Sequence, residues 1–177
     1  MGFLLFTSAV SALPAEASAP TLPVPSHVVT LTAYNAVPEQ TDGDPFTTAS
    51  GAYSNPEVVA ARSRDLKEEL PFGTIIEVVS VATPNTSCGY HVVAPLVGYR
   101  VIADTMNARY TDRIDILFDT KAKYATTDKG MKNAAQVLGI CDGVTIRVVG
   151  HVDISHIPKT QAELMKIVGK RSDLALK

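Results

Sequence analysis

The chain has no tryptophan, only two cysteines, and no lysine or arginine before Arg62. Without tryptophan, any aromatic face that meets a ligand must come from tyrosine or phenylalanine. Two cysteines cannot make a zinc site alone, and His27, His91, His151 and His156 show no ligand spacing relative to them. No metal and no cofactor are expected. Cys88 and Cys141 leave two readings open, a disulfide or a pair of buried thiols. Net charge is also small: 16 basic and 18 acidic side chains give −2, which argues against a broad nucleic-acid surface. No apolar run is long enough to span a bilayer.

The N-terminus differs from the rest. MGFLLFTSAVSALPAEASAP opens with a short apolar run and continues in small residues. Val10-Ser11-Ala12 and Ala17-Ser18-Ala19 resemble signal-peptidase sites, although the usual basic stretch in front is missing. Residues 1–19 therefore read as a signal-like segment, which implies export to the cell envelope or medium. Residues 20–27 read as a Pro-rich linker. The remainder of the 177-residue chain suffices for one domain with a core.

From Val28 onward the pattern is mostly β. Strands are expected at Val28–Tyr34, Val58–Ala61, Thr74–Val81, Arg100–Asp104, Arg113–Phe118 and Val144–Gly150. Asn35–Gly51 reads as a long polar loop, and Ser80–Tyr99 as an insertion, a lid or a partner surface. A short helical turn is expected at Thr120–Tyr124 and a helix at Lys132–Ile140. The C-terminal extension, residues 151–177, should be helical. Thr160 and Glu163 form a capping box there, and Leu164, Ile167 and Val168 give it an apolar stripe. Six or so short strands with few helices point to a closed barrel, which leaves no exposed edge.

Chemistry concentrates in the acids. Asp104 and Asp115 each follow apolar residues in VIADTMNARYTDRIDILF, and Asp65 lies upstream in VVAARSRDLKEELPFGT. Acids at strand ends that converge on one groove push each other's pKa values apart. Each also has a plainer reading. Asp65 could cap a helix over LKEEL, Asp104 could cap a turn, and Asp115 could be a solvated strand residue. Asp112 and Asp119 read as surface charges, His151 and His156 as surface residues. Tyr34 is as well suited to the core as to a site, and Arg62, Arg64, Arg109 and Arg113 could pair with the acids.

These pieces, in their order, resemble the 3D domain family, named for three aspartates. The matching pieces are Thr32-Ala33-Tyr34, then TASG (Thr48–Gly51), VVAARSRDL with Asp65, LPFGT (Leu70–Thr74), ADT (Ala103–Thr105), RID (Arg113–Asp115) and a closing VTIRVV. The resemblance covers residues 28–150. It implies a six-stranded double-psi β-barrel, shared by lytic transglycosylases of the membrane-bound A type, spore cortex-lytic enzymes and C-termini of resuscitation-promoting factors.

The implied activity is cleavage of the glycosidic bond between N-acetylmuramic acid and N-acetylglucosamine in peptidoglycan glycan strands. Asp115 would be the general acid/base, Asp104 its charge partner and Asp65 a supporting residue. Tyr34, Thr48, Ser50, Thr105 and Arg109 would bind sugar. The chain is expected to act as a monomer, with glycan strands as its partner, no nucleic acid, and no stable span in a membrane. Many relatives read DTGGAIKG after the second aspartate, where this chain has DTMNARYTD. That departure keeps a non-catalytic wall-binding module open as the alternative. An aspartic protease would need Asp-Thr-Gly, and position 106 is Met106. A purely structural envelope protein remains a third reading.

Overall fold

The computed structural model describes residues 24–41, 43–81, 87–126 and 130–175, with side chains described to Lys170. The signal-like segment and residues 20–23 of the expected linker lie outside the described residues, while Ser26 and His27, read as linker, belong to the first strand because they pair with Arg147 and Ile146. The protein is mainly β. Its strands are β1 (Ser26–Asn35), β2 (Val59–Arg62), β3 (Thr74–Val81), β4 (Arg100–Thr105), β5 (Arg113–Phe118), β6 (Lys123–Thr126), β7 (Gly130–Asn133) and β8 (Cys141–His151). Its helices are α1 (Tyr90–Val97), α2 (Ala134–Leu138) and α3 (Gln161–Ala175).

Six strands form one sheet in the order β1-β5-β2-β4-β3-β8, and β8 also pairs with β1, so the order closes on itself. β1 with β5 and β2 with β4 are parallel pairs; the rest of the ring is antiparallel. Closure satisfies the backbone donors and acceptors that an open sheet would leave at its edges. β6 and β7 form a separate two-stranded sheet.

The strands' two-residue alternation sorts side chains into two buried clusters. Leu31, Ala60, Ile102, Ile114, Ile116 and Ile146 fall in one, together with residues of α1 and α2. Val59, Ala61, Val101, Ala103 and Leu117 fall in the other, covered by Leu164 and Val168 of α3. Arg100, only 1% exposed, donates to the carbonyls of Val97, Pro56, Val59 and Leu117 and so ties the start of β4 to its neighbours.

Two turns of the aspartate-rich region need unusual backbone. Gly73 of LPFGT has φ +93°, and a Cβ there would lie 2.2 Å from the Val152 carbonyl oxygen. No other residue fits that approach. Among the described residues Asp112 is the non-glycine residue with positive φ, at 48°, a conformation that aspartate tolerates better than most.

Four stretches differ from the expected pattern. The insertion Ser80–Tyr99 contains α1 in its second half, with Val93 and Val97 in the core, so that half is a structural wall rather than a free lid. Pro95 inside this helix masked it, because proline reads as a breaker. At Thr120–Tyr124 the chain makes a turn closed by Ala122 N–H to Asp119 O at 3.0 Å, then enters β6 instead of continuing as a helix. The expected helix at Lys132–Ile140 is confined to Ala134–Leu138, because residues up to Asn133 belong to β7 and Asn133 caps the helix. Asp65 lies within a short 3-10 turn, Arg64–Lys67, whose N-cap is Ser63.

The C-terminal capping box is present: Glu163 N–H donates to Thr160 Oγ1, and Thr160 N–H to Glu163 Oε2. Cys88 and Cys141 are joined in a disulfide across 53 residues, with Cα atoms 4.7 Å apart. It fastens the loop before α1 to the first residue of β8.

Candidate functional site

The site is built on the middle of the ring, where β2 lies between β5 and β4. Ala61 of β2 is the register partner of Asp115 on one side and of Asp104 on the other. Directly paired residues project to the same face of a sheet, so both carboxylates rise from one surface with only a methyl group between them. They line one cleft of about 940 Å3 together with Ala61. That volume suits a ligand of a few sugar units.

β1 supplies a partner for each acid. Thr32 and Tyr34 are two residues apart and share a face. The Thr32 hydroxyl donates to Asp115 Oδ1 at 2.8 Å, and the Tyr34 hydroxyl donates to Asp104 Oδ2 at 2.8 Å. Asp104 Oδ1 accepts two further bonds, from the backbone N–H of Ala49 at 2.9 Å and its neighbour Thr105 at 2.8 Å. Asp104 is thus held by three donors, and Asp115 by one hydroxyl.

This difference separates the two acids. Burial on the cleft face, which Asp115 shares with Ala61 and Tyr34, pushes its carboxyl up to about 6. The Thr32 hydrogen bond and the nearby Arg113 pull it down, and the Asp104 carboxylate adds to the rise. Burial, reinforced by Asp104, also holds the Tyr34 phenol well above its usual value, so it stays a donor.

Asp65 stands apart from this pair and does not line the cleft. Its Oδ2 accepts the N–H of Asp112 at 2.8 Å. Partial burial pushes its carboxyl up, but hydrogen bonds from the Ser63 hydroxyl and the N–H groups of Asp112, Asp65 and Leu66 outweigh this and hold it low. The geometry makes it a fastener between two loops.

Thr48 and Ser50 also sit behind the cleft wall. Thr48 Oγ1 lies 3.0 Å from Ser50 Oγ and bonds the Ala52 carbonyl. They shape the turn that delivers Ala49 N–H to Asp104. Tyr34, Thr105 and Arg109 do line the cleft.

Sequence reasoning singled out neither Thr32 nor Ala61 as site residues, and it read Arg62 and Arg64 only as partners for the acids. The two-residue spacing in Thr32-Ala33-Tyr34 was a usable signal, since it puts two hydroxyls on one strand face. Ala61 carried none, because a small residue in a strand is ordinary. Arg62, Arg64, Arg109 and Arg113 form no ion pair with an acid among the described residues, where the pairs are Lys67–Glu68 and Arg147–Glu77. Among the described residues no group of three His, Cys, Asp or Glu side chains is placed to hold a metal ion. No described helix is long and apolar enough to cross a membrane.

No protein-family model matches the chain, and no curated protein matches it in sequence.

Proposed function

We propose that the protein is a glycan-cleaving enzyme of the lytic transglycosylase type, built on a double-psi barrel of the 3D kind. Its substrate is the bond between N-acetylmuramic acid and N-acetylglucosamine in peptidoglycan. The observation that carries this reading is the pairing of Asp115 and Asp104 in one cleft with unlike surroundings: a buried acid near 6 beside a carboxylate fixed by three donors. Acid and base roles arise where neighbouring carboxyls are treated differently by their environment.

In this mechanism Asp115 enters protonated and gives its proton to the glycosidic oxygen as the C1–O bond breaks. The positive charge that develops on the sugar ring is stabilised by the Asp104 carboxylate, which its three donors keep in place. Asp115, now a carboxylate, takes the proton of the same sugar's 6-hydroxyl. That oxygen closes on C1 and yields a 1,6-anhydro product. Water is not consumed, and Asp115 ends protonated, as it began. One acid/base therefore suffices, whereas glycosidases that add water generally use two carboxylates in separate roles.

The test is incubation of the protein with purified sacculi, with chromatography and mass spectrometry of what is released. Anhydro-muropeptides should appear with the wild type and be lost with Asp115→Asn. If the wild type sediments with sacculi but releases no more than Asp115→Asn, the protein binds glycan without cleaving it, and the enzymatic reading ends.

A further inference from the structure

The cleft has an uneven distribution of charge. Its cations are Arg62, Arg64, Lys67 and Arg109, against the acids Glu39, Asp104 and Asp115. All four cations come from two segments, the end of β2 with its following turn, and the loop between β4 and β5. Four hydrogen bonds join these segments. Met106 N–H donates to Arg62 O at 2.9 Å, and Ser63 N–H to Arg113 O at 2.9 Å. Arg113 N–H donates to Ser63 Oγ at 3.0 Å, and Asp112 N–H to Asp65 Oδ2 at 2.8 Å. The two segments are therefore one continuous wall, and its cations are held beside one another although they lie far apart in sequence.

The wall is also braced internally. Arg62, 7% exposed, spends its guanidinium on the carbonyls of Leu70 and Ser63 and lies 5.0 Å from the centre of the Phe72 ring. Arg109 and Arg113 both lie over the Tyr110 ring, at 4.8 and 4.7 Å, and Arg109 donates to the Tyr110 hydroxyl. Arg113 Nε is buried and has no hydrogen-bond partner among the described residues. The exposed guanidinium of Arg64 and that of Arg109 are paired with no carboxylate among the described residues. Lys67 has only Glu68, at 3.5 Å, in a pair more than half exposed on both sides, which is worth little in water.

A chain of net charge −2 has thus gathered unneutralised guanidinium groups at the one cleft that holds its paired acids. Arg64 and Arg109, with no carboxylate of the chain paired to them among the described residues, can take one from a ligand. A guanidinium suits a planar carboxylate, which it can bind in a two-point fork, and Arg109 is braced for this on the Tyr110 ring.

We propose that the wall formed by residues 62–67 and 106–113 is a subsite for a carboxylate-bearing substituent on the glycan, namely the peptide attached to the muramic acid unit at the cleft. Arg64 and Arg109 make the contacts. Asp65 is a positioning residue that keeps the Arg109 loop against the Arg64 turn. This rests on the proposed glycan substrate, and it adds that the protein distinguishes peptide-bearing strands from bare ones.

The experiment measures binding and turnover separately. Soluble peptide-bearing glycan strands, and the same strands stripped of peptide by an amidase, are titrated against wild type, Arg64→Gln/Arg109→Gln and Asp65→Asn. The wild type should bind the peptide-bearing strands about three- to tenfold more tightly, the range expected for two partly exposed ion pairs. Added salt should reduce the preference. The double variant should bring the ratio to about one, and Asp65→Asn should lower it while leaving the fold intact by circular dichroism. Equal wild-type binding to both strands, or a ratio untouched by the double variant, overturns the subsite. A ratio as expected without any cleavage upholds the subsite and overturns catalysis. Cleavage with a ratio of one does the reverse.

Discussion

Asp104 and Asp115 are register partners of the same residue, Ala61, one from each side of β2. Strands two apart in a sheet are separated by about 10 Å. The two acids therefore face each other across a gap whose floor is one methyl group. Ala61→Val should leave both acids in place and fill that gap. We expect a stability cost of about 1 kcal/mol by urea unfolding, the low end for overpacking. Turnover should fall about a hundredfold, the scale of displacing the bound substrate by about 1 Å from the acids. Carbon-detected NMR titration should show Asp115 moving further above its present value, because the added methyls remove water from it.

Asp115 makes stability depend on pH with a definite sign. Its carboxyl is raised from the ordinary value of 3.8 to about 6 by burial. Between those two pH values the folded chain binds more protons at this site than the unfolded one. Its contribution is fully present below about 4 and is lost as pH rises through about 6. The shift corresponds to about 3 kcal/mol. Asp115→Asn removes the penalty, so it should be more stable than the wild type at pH 8, with the difference vanishing below pH 4. Urea midpoints measured across that range check it.

The proposed mechanism ties the rate to the same group. In it Asp115 enters protonated, so kcat/KM on sacculi should decline as pH rises past about 6. Asp115→Asn should lose two to four orders of magnitude in rate, the usual share of a general acid/base, and show no such limb. A wild-type profile that stays flat between pH 5 and 8 would remove Asp115 from the acid role.

Tyr34 is tied to Asp104 through its hydroxyl, at 2.8 Å. Tyr34→Phe keeps the ring in the core and deletes that donor, leaving Asp104 its two backbone N–H bonds. The stability loss should be about 1 kcal/mol. Because Asp104 then turns more freely, kcat should fall while KM stays close to the wild-type value. Steady-state kinetics on solubilised glycan separates the two.

The disulfide Cys88–Cys141 closes a loop of 53 residues. Its loss should cost about 4 kcal/mol, on the usual dependence on loop length. Calorimetry with and without a reductant, and on Cys88→Ser/Cys141→Ser, should show the same lowering of Tm. The cleft residues lie on other strands, so the paired acids should keep their arrangement at temperatures where the reduced protein is still folded.

Several elements could be read directly from the chain. β3 at Thr74–Val81 and β5 at Arg113–Phe118 match their apolar runs residue for residue, because β-branched stretches bounded by turn residues have few alternatives. The Thr160/Glu163 box is equally local. α1 was hidden by Pro95, and the β6–β7 pair by strands too short and too polar to show a period. Asp104 and Asp115 were legible as acids at strand positions. That Asp65 lies away from them was not, since its place depends on the turn that follows β2.

Near neighbours along the chain settle which segments extend, where glycine must bend them, and that acids and hydroxyls alternate with core residues. Which strands lie side by side is a matter of long-range pairing. The order β1-β5-β2-β4 brings together residues from four separate segments, and it alone puts Thr32 on Asp115, Tyr34 on Asp104 and Ala61 between the two acids. The raised Asp115 follows from the same cause. Desolvation belongs to the space around a side chain, and that space is enclosed only when the ring of strands closes.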